Sequence, residues 1–177
     1  MKKKKLTAIL TCLAMIFTLL PAAAWAADAG VSYIAENGTP QTSSSAEVIT
    51  KTLTSWGEND GADHWYVAQG DITIGRHITV TGDVHLILAD DSALTASLGI
   101  GVSSGSSLTV YAQSTGDEMG TLSADGGADG QTGIGGSGSS VIIHGGIVTA
   151  TGGESAAGIG GSGSSVTIHG GRVTATG

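Results

Sequence analysis

Only a few segments of this 177-residue chain have the residue types and spacing of a chemical site. Residues 101–105, GVSSG, match the GxSxG spacing of a nucleophile elbow, in which a serine stands at a strand-to-helix turn. No helical periodicity follows, so a chance match in a chain rich in serine and glycine is favoured. The GIGGSG segments at 133–138 and 158–163 resemble phosphate loops, but they have no lysine and no following helix. We expect no catalytic and no cofactor-binding residues in these segments.

Two acidic segments are candidates for calcium binding or acid–base chemistry. Residues 125–130, DGGADG, look like half of a calcium-binding β-roll repeat, but such sites need tandem copies, so a polar loop is favoured. Asp90 and Asp91 would form either a calcium site or the acid pair of a glycosidase. Adjacent residues of one strand face opposite sides, so a chain corner is the simpler interpretation. Calcium therefore stays a weak alternative, and no cofactor is expected.

His144 and His169 occupy equivalent positions in two repeats, and we expect their rings to stack about one strand spacing apart, ~4.8 Å. A structural zinc site needs four ligands, and neither repeat offers another ligand beside its histidine. The sequence therefore predicts a solvated histidine ladder and no metal ligands.

Outward threonines predict a second ladder, with Thr149 and Thr151 above Thr174 and Thr176. Residues 79–81 contain a possible earlier copy of the same TxT motif. A flat array of this kind is typical of an ice-binding solenoid. Threonine is also a common residue on any exposed strand, so ice binding is only a minor alternative.

The architecture follows from an internal repeat. Residues 133–152 and 158–177 are the same twenty-residue phrase with two substitutions, offset by 158 − 133 = 25 positions. So short a unit cannot bury an apolar face alone and must stack on its neighbours. Its alternating Val, Ile and Thr, interrupted by Gly-Gly, predict strand, corner and strand. The prediction is an all-β chain, a right-handed parallel β-helix with an N-terminal cap.

The substitutions and an upstream copy set the register. Thr167 replaces Ile142 and Arg172 replaces Ile147, so these positions are predicted to face solvent. Ile100, Leu108 and Val110 are predicted to be equivalent to Ile134, Val141 and Ile143. About five or six turns are expected between residue 71 and residue 177. Eight earlier apolar residues are expected to point inward: Ile72, Ile74, Ile78, Val80, Val84, Leu86, Leu88 and Leu94.

The N-terminal part divides into two segments. Residues 1–26 have a lysine-rich start, an apolar run and a small-x-small site, which predict a secretory signal peptide cleaved after Ala26. Residues 27–70 are predicted to be a lead and cap, with short strands near 31–35 and 48–53, before solenoid repeats at 71–177. Aromatic residues concentrate in this lead. Their favoured role is to cover the open end of the first turn, and the alternative is a platform on which a sugar ring stacks.

Charge narrows the range of partners. After signal cleavage, three basic residues oppose fifteen acidic ones, giving a formal charge of 3 − 15 = −12. So acidic a chain should repel phosphate backbones and anionic lipids, and we expect neither nucleic-acid binding nor membrane insertion. The expected location is secreted, at a bacterial cell surface.

Three segments together carry a family resemblance: residues 65–102, residues 108–127 and the GIGG…IHGG…VTATG units. In this combination the chain resembles glycine-rich, secreted or cell-surface repeat proteins of Gram-positive anaerobes. The resemblance implies a right-handed β-helix of pectin-lyase-like shape and brings no catalytic residues. Because such proteins are long, a chain stopping at Gly177 is expected to be truncated, with an open end suited to end-to-end self-association.

The function expected is a non-enzymatic scaffold or adhesin with a polysaccharide or a host or cell-wall glycan as its candidate ligand. The alternative is a polysaccharide lyase or glycoside hydrolase of β-helix fold. Lyase chemistry would have only Lys51, Arg76 and Arg172 as basic residues. Hydrolase chemistry needs separated carboxylates on one face, and the two repeats offer only Glu154 between them. We therefore expect no enzymatic activity.

Overall fold

A computed structural model describes residues 30–127 and 129–177. The predicted signal peptide lies outside the described residues. The strands, in chain order, are β1 (Val31–Ile34), β2 (Pro40–Ser43), β3 (Glu47–Val48), β4 (Ser55–Trp56), β5 (Asp63–Ala68), β6 (Asp71–Ile74), β7 (Ile78–Val80), β8 (Asp83–Leu88), β9 (Ala93–Ala96), β10 (Ile100–Val102), β11 (Ser107–Ala112), β12 (Thr121–Asp125), β13 (Ile134–Gly135), β14 (Ser140–Ile143), β15 (Ile147–Thr151), β16 (Ser165–Ile168) and β17 (Arg172–Thr176). In the described residues no helix is long and apolar enough to cross a membrane.

All strands after the first two belong to three parallel sheets that wind into a solenoid of about five turns. Face 1 has the order β3-β5-β8-β11-β14-β16, face 2 the order β6-β9-β12-β15-β17, and face 3 the order β4-β7-β10-β13. A parallel bridge from Ile134 to Ile159 adds the last turn to face 3. The expected all-β parallel β-helix is confirmed.

The interior is built from columns of apolar side chains that repeat in each turn. On face 1, Val84, Leu108 and Val141 are register partners in successive turns. Ile100 pairs with Ile134 on face 3, so the predicted equivalence of these repeats is confirmed. Strand alternation places every second side chain inside. The eight residues expected to point inward all belong to the core or pack against it.

Glycine makes the corner between faces 1 and 2 in the two perfect repeats. Gly146 has φ 94° and Gly171 has φ 85°, a left-handed conformation that residues with a Cβ rarely adopt. Each lies immediately before the first strand residue of face 2, at Ile147 and Arg172. The Gly-Gly pair therefore turns the chain without a side chain in the corner.

The parallel ladders begin before residue 71. Strand β3 pairs with β5 on face 1, and β4 pairs with β7 on face 3. Trp56 is fully buried in this first turn, and its ring lies 6.0 Å from that of Tyr66. The Tyr66 hydroxyl accepts a hydrogen bond from the Gly57 amide at 2.8 Å. These two aromatic residues fill the interior of the solenoid where its strands start.

Strands β1 and β2 form an antiparallel hairpin that belongs to none of the three faces. It packs on the outer surface of face 1, where Val31 and Tyr33 lie against Val67, Ile87 and Tyr111. A second, small apolar cluster outside the solenoid therefore holds this hairpin in place.

Candidate functional site: a ring ladder beside a groove

Five aromatic and imidazole rings stack along the outer surface of face 1, a group we call the ring ladder (Trp65, His85, Tyr111, His144 and His169). The Trp65 and His85 centroids are 4.3 Å apart and their planes differ by 11°. Tyr111 and His144 are 5.0 Å apart and differ by 17°. The step between His85 and Tyr111 is longer, 5.9 Å, because Tyr111 lies two residues beyond Thr109, the register partner of His85.

The predicted stacking of His144 on His169 is confirmed. Their ring centroids are 4.9 Å apart and the planes differ by 12°. Nearly parallel rings at this distance do not direct two nitrogens at one zinc ion, which would need to lie about 2.1 Å from each. In residues 30–127 and 129–177, no group of three or more His, Cys, Asp or Glu is arranged to hold a metal ion.

The hairpin covers the ladder from outside. The Tyr33 ring lies 4.9 Å from Trp65 and 4.8 Å from Tyr111. Beyond the end of β1, a Glu36 carboxylate oxygen is 3.7 Å from Nε2 of His169. Because the hairpin contacts rings from several turns, it ties those turns together on face 1.

Burial inside the ladder changes the titration of two rings. Nδ1 of His144 is buried without a hydrogen-bond partner. Burial lowers the pKa of His144, as do the nearby charges of His169 and His85, while Glu36 acts in the opposite direction. Burial also raises the pKa of Tyr111 to about 12, helped by Tyr33, Asp63 and Glu36. Both shifts favour neutral rings at physiological pH.

A groove of about 300 Å³ lies beside His144 and His169, the last two rings of the ring ladder. The hairpin forms one wall at Glu36, and the loop between β11 and β12 forms the other at Thr115 and Met119. His144 and His169 contribute to the floor. The loop is tied to face 2 by an ion pair between Asp117 and Arg172, at 3.1 Å. The groove therefore combines imidazole, carboxylate and hydroxyl groups with apolar surface.

The ring ladder is not an open aromatic platform. Trp65 and Tyr111 use their ring faces against other rings of the ladder and against Tyr33. A sugar that stacks on an aromatic ring needs such a face free. Contact with a ligand is therefore left to ring edges and to the groove.

The acidic and serine motifs of the sequence lie in turns or at the ends of strands. Strand β11, not a helix, follows residues 101–105, so the GxSxG match has no nucleophile elbow around it. Asp90 accepts a hydrogen bond from the Ser114 hydroxyl at 2.7 Å, and Asp91 has φ 56° at a turn. Asp125, the last residue of β12, accepts a hydrogen bond from the Gly127 amide at 2.9 Å, in the turn that follows the strand.

One outward pair, and the earlier part of an outward column, were missed from the sequence. Asp63 and Asp83, the first residues of β5 and β8, are register partners on face 1, and Asp83 accepts a hydrogen bond from the Ser107 hydroxyl at 2.7 Å. On face 2 a hydroxyl column runs through five turns: Thr73, Thr95, Ser123, Thr149 and Thr174. The predicted stacking of Thr149 on Thr174 and of Thr151 on Thr176 is confirmed, and only the three earlier members were missed.

The possible earlier copy of the TxT motif at residues 79–81 does not belong to the hydroxyl column, since Thr79 lies on face 3. Alignment of the turns, not the spacing of TxT motifs, would have identified the Asp63 and Asp83 pair and the first three members of the hydroxyl column.

Comparison with known proteins gives no relative for this chain. No family model, no curated protein and no solved structure matches it.

Proposed function

We propose that this chain is a non-enzymatic, secreted or cell-surface repeat module, a scaffold of adhesin type that binds a glycan in the groove beside the ring ladder. The observation that carries the proposal is the groove itself, whose floor presents His144 and His169 from consecutive turns. The rigid stack of parallel strands behind it supports a role as a scaffold.

The groove has the mixed chemistry that a sugar ring requires. Thr115 and Glu36 offer hydrogen-bonding oxygens, and Met119 offers apolar surface for the C–H side of a ring. At about 300 Å³ it lies at the lower end of the range for small-molecule sites, ~300–1,000 Å³. This size suits one sugar unit of a longer chain that continues over the surface.

Affinity electrophoresis tests the proposal. The chain from residue 27 onward would be run through gels containing plant, mucin or bacterial polysaccharides, with and without calcium. We expect at least one polymer to retard it. Thr115→Trp, which fills the groove, should abolish the retardation, and Thr174→Trp on face 2 is the matched control that should keep it. Absence of retardation by every polymer, or equal retardation of T115W, would refute glycan binding in the groove.

The alternative, a polysaccharide hydrolase, is favoured by one observation. Asp63 and Asp83 face outward in adjacent turns, about one strand spacing apart, ~4.8 Å. Retaining glycosidases hold their two carboxyl groups at about 5–5.5 Å. Release of new reducing ends from the same polysaccharides, and its loss in Asp83→Asn, would replace the scaffold proposal with this one.

A further inference from the structure

His144 occupies a position that suits a neutral ring and not a charged one. Its imidazole lies between Tyr111 at 5.0 Å and His169 at 4.9 Å. Nδ1 is buried and has no hydrogen-bond partner. In the neutral ring this nitrogen carries only a lone pair when the proton is on Nε2. Protonation would add an N–H donor and a positive charge at a buried atom with no acceptor, which is costly.

The groups around His144 come from four elements. His169 follows β16 and His85 lies on β8, and both would repel a charge on His144. Tyr111 on β11 is held neutral by its raised pKa of about 12 and cannot neutralise that charge. Glu36 of the hairpin acts in the opposite direction on this ring, and its carboxylate lies 3.7 Å from His169.

We propose that acidification releases the N-terminal hairpin from face 1, because protonated His144 leaves the ring ladder and the Tyr111 ring loses its support. The Tyr111 ring is one of the two that the hairpin contacts through Tyr33, at 4.8 Å. When the stack is lost, the hairpin therefore loses the support of a ring that it contacts directly. The hairpin also forms a wall of the groove, so its release opens the groove. This acid response is independent of whether a glycan binds there.

The direction of the pH dependence follows from the two states of the ring. In the released state His144 is solvated and has an ordinary pKa, about 6.5. In the closed state its pKa is lower, mainly through burial. The released state therefore binds more protons, and the closed state loses stability as pH falls through about 6.5. Each unit of difference between the two pKa values changes the opening equilibrium about tenfold.

Hydrogen exchange measured by mass spectrometry tests the proposal on the whole chain. Exchange of residues 31–43 would be compared at pH 7.5 and 5.5, after correction for the intrinsic rate at each pH. We expect a several-fold rise in opening of the hairpin at pH 5.5, while β8 is unchanged. His144→Phe keeps a stacked ring that cannot be protonated, so its hairpin should open equally at both pH values. His77→Gln, on the exterior next to face 3, should respond like the parent chain.

A titration by NMR covers the case in which His144→Phe fails to fold. In the unmodified chain the ring protons of His144 should titrate below the ordinary histidine range, with hairpin resonances shifting over the same pH interval. A pKa of His144 at or above about 6.5, or a hairpin equally protected at pH 5.5 and 7.5, would overturn the proposal.

Discussion

At the scale of single residues, adjacent positions of one strand have opposite surroundings. In β14, Ile143 is fully buried and Ile142 is only half-buried on the outer surface of face 1. The next turn has Thr167 at the register position of Ile142 and keeps Ile168 opposite Ile143. The outer position is therefore isoleucine in one turn and threonine in the next, whereas the inner position is isoleucine in both.

The matched substitutions Ile142→Thr and Ile143→Thr should differ strongly in stability. We expect Ile142→Thr to lower the free energy of unfolding by less than about 1 kcal/mol, because threonine suits an exposed strand. Ile143→Thr should cost about 2–5 kcal/mol, since it leaves a cavity and buries a hydroxyl. Urea denaturation followed by circular dichroism measures both. Equal costs would contradict the inward and outward assignment of β14.

Two glycines of ordinary φ allow a similar comparison. A Cβ on Gly170 would lie 2.6 Å from the backbone oxygen of His144, whereas a Cβ on Gly75 would meet nothing within 4 Å. We expect Gly170→Ala to cost about 1–3 kcal/mol through overpacking. Gly75→Ala should be neutral or stabilising by up to about 1 kcal/mol, because it restricts the unfolded chain. Thermal unfolding measures the stability of both variants. If G170A were more stable than the parent chain, the close packing of the corners would be refuted.

At the scale of elements, the hairpin depends on few contacts with the solenoid. Tyr33 supplies two of its ring contacts, and an aromatic pair contributes about 0.5–1.5 kcal/mol. Tyr33→Ala should therefore detach β1 and β2 while the three faces stay folded. Hydrogen exchange should show lost protection in residues 31–43 and unchanged protection in β8. Gln41→Ala, an exposed site in β2, is the control. Loss of protection throughout the chain would instead make the hairpin part of the main folding unit.

The elements that sequence reasoning predicted are those set by local alternation. Strands in the repeats, their inward residues and the stacking of His144 on His169 follow from a period of two within each strand and a fixed offset between the last two turns. The hairpin strand β1 was expected near residues 31–35, but its position outside face 1 was not. That position depends on Tyr33 meeting Trp65 and Tyr111, residues separated from it in sequence, and local patterns carry no such information.

Variable turn length explains why the earlier members of the outward columns were missed. Register partners on face 1 lie 20 positions apart from His64 to Val84, 24 from Val84 to Leu108, 33 from Leu108 to Val141, and 25 from Val141 to Val166. Loops at the corners absorb these differences, so the parallel register is kept while the sequence period is lost. The part of the ring ladder above His144 and the Asp63 and Asp83 pair can be identified only when the register is known.

At the scale of the whole molecule, the strands of each turn pair only with strands of the neighbouring turns, so the stability of the three sheets should be close to a sum over turns. Residues 133–157 form one complete repeat, and β16 has the same register relative to β14 as β14 has relative to β11. A chain lacking residues 133–157 should therefore fold, with 158–177 docking on β11. Its denaturant m-value should fall, because less surface is exposed on unfolding.

Duplication of residues 133–157 should have the opposite effect. The new copy offers the same interior column and the same Gly-Gly corner, so it should add one turn, lengthen the molecule by about 4.8 Å along the solenoid axis and raise the m-value. Small-angle scattering and urea denaturation measure these changes. If the duplicated repeat left the m-value and the length unchanged, it would not have joined the ladders. The register of the described turns would then depend on interactions beyond the nearest neighbour.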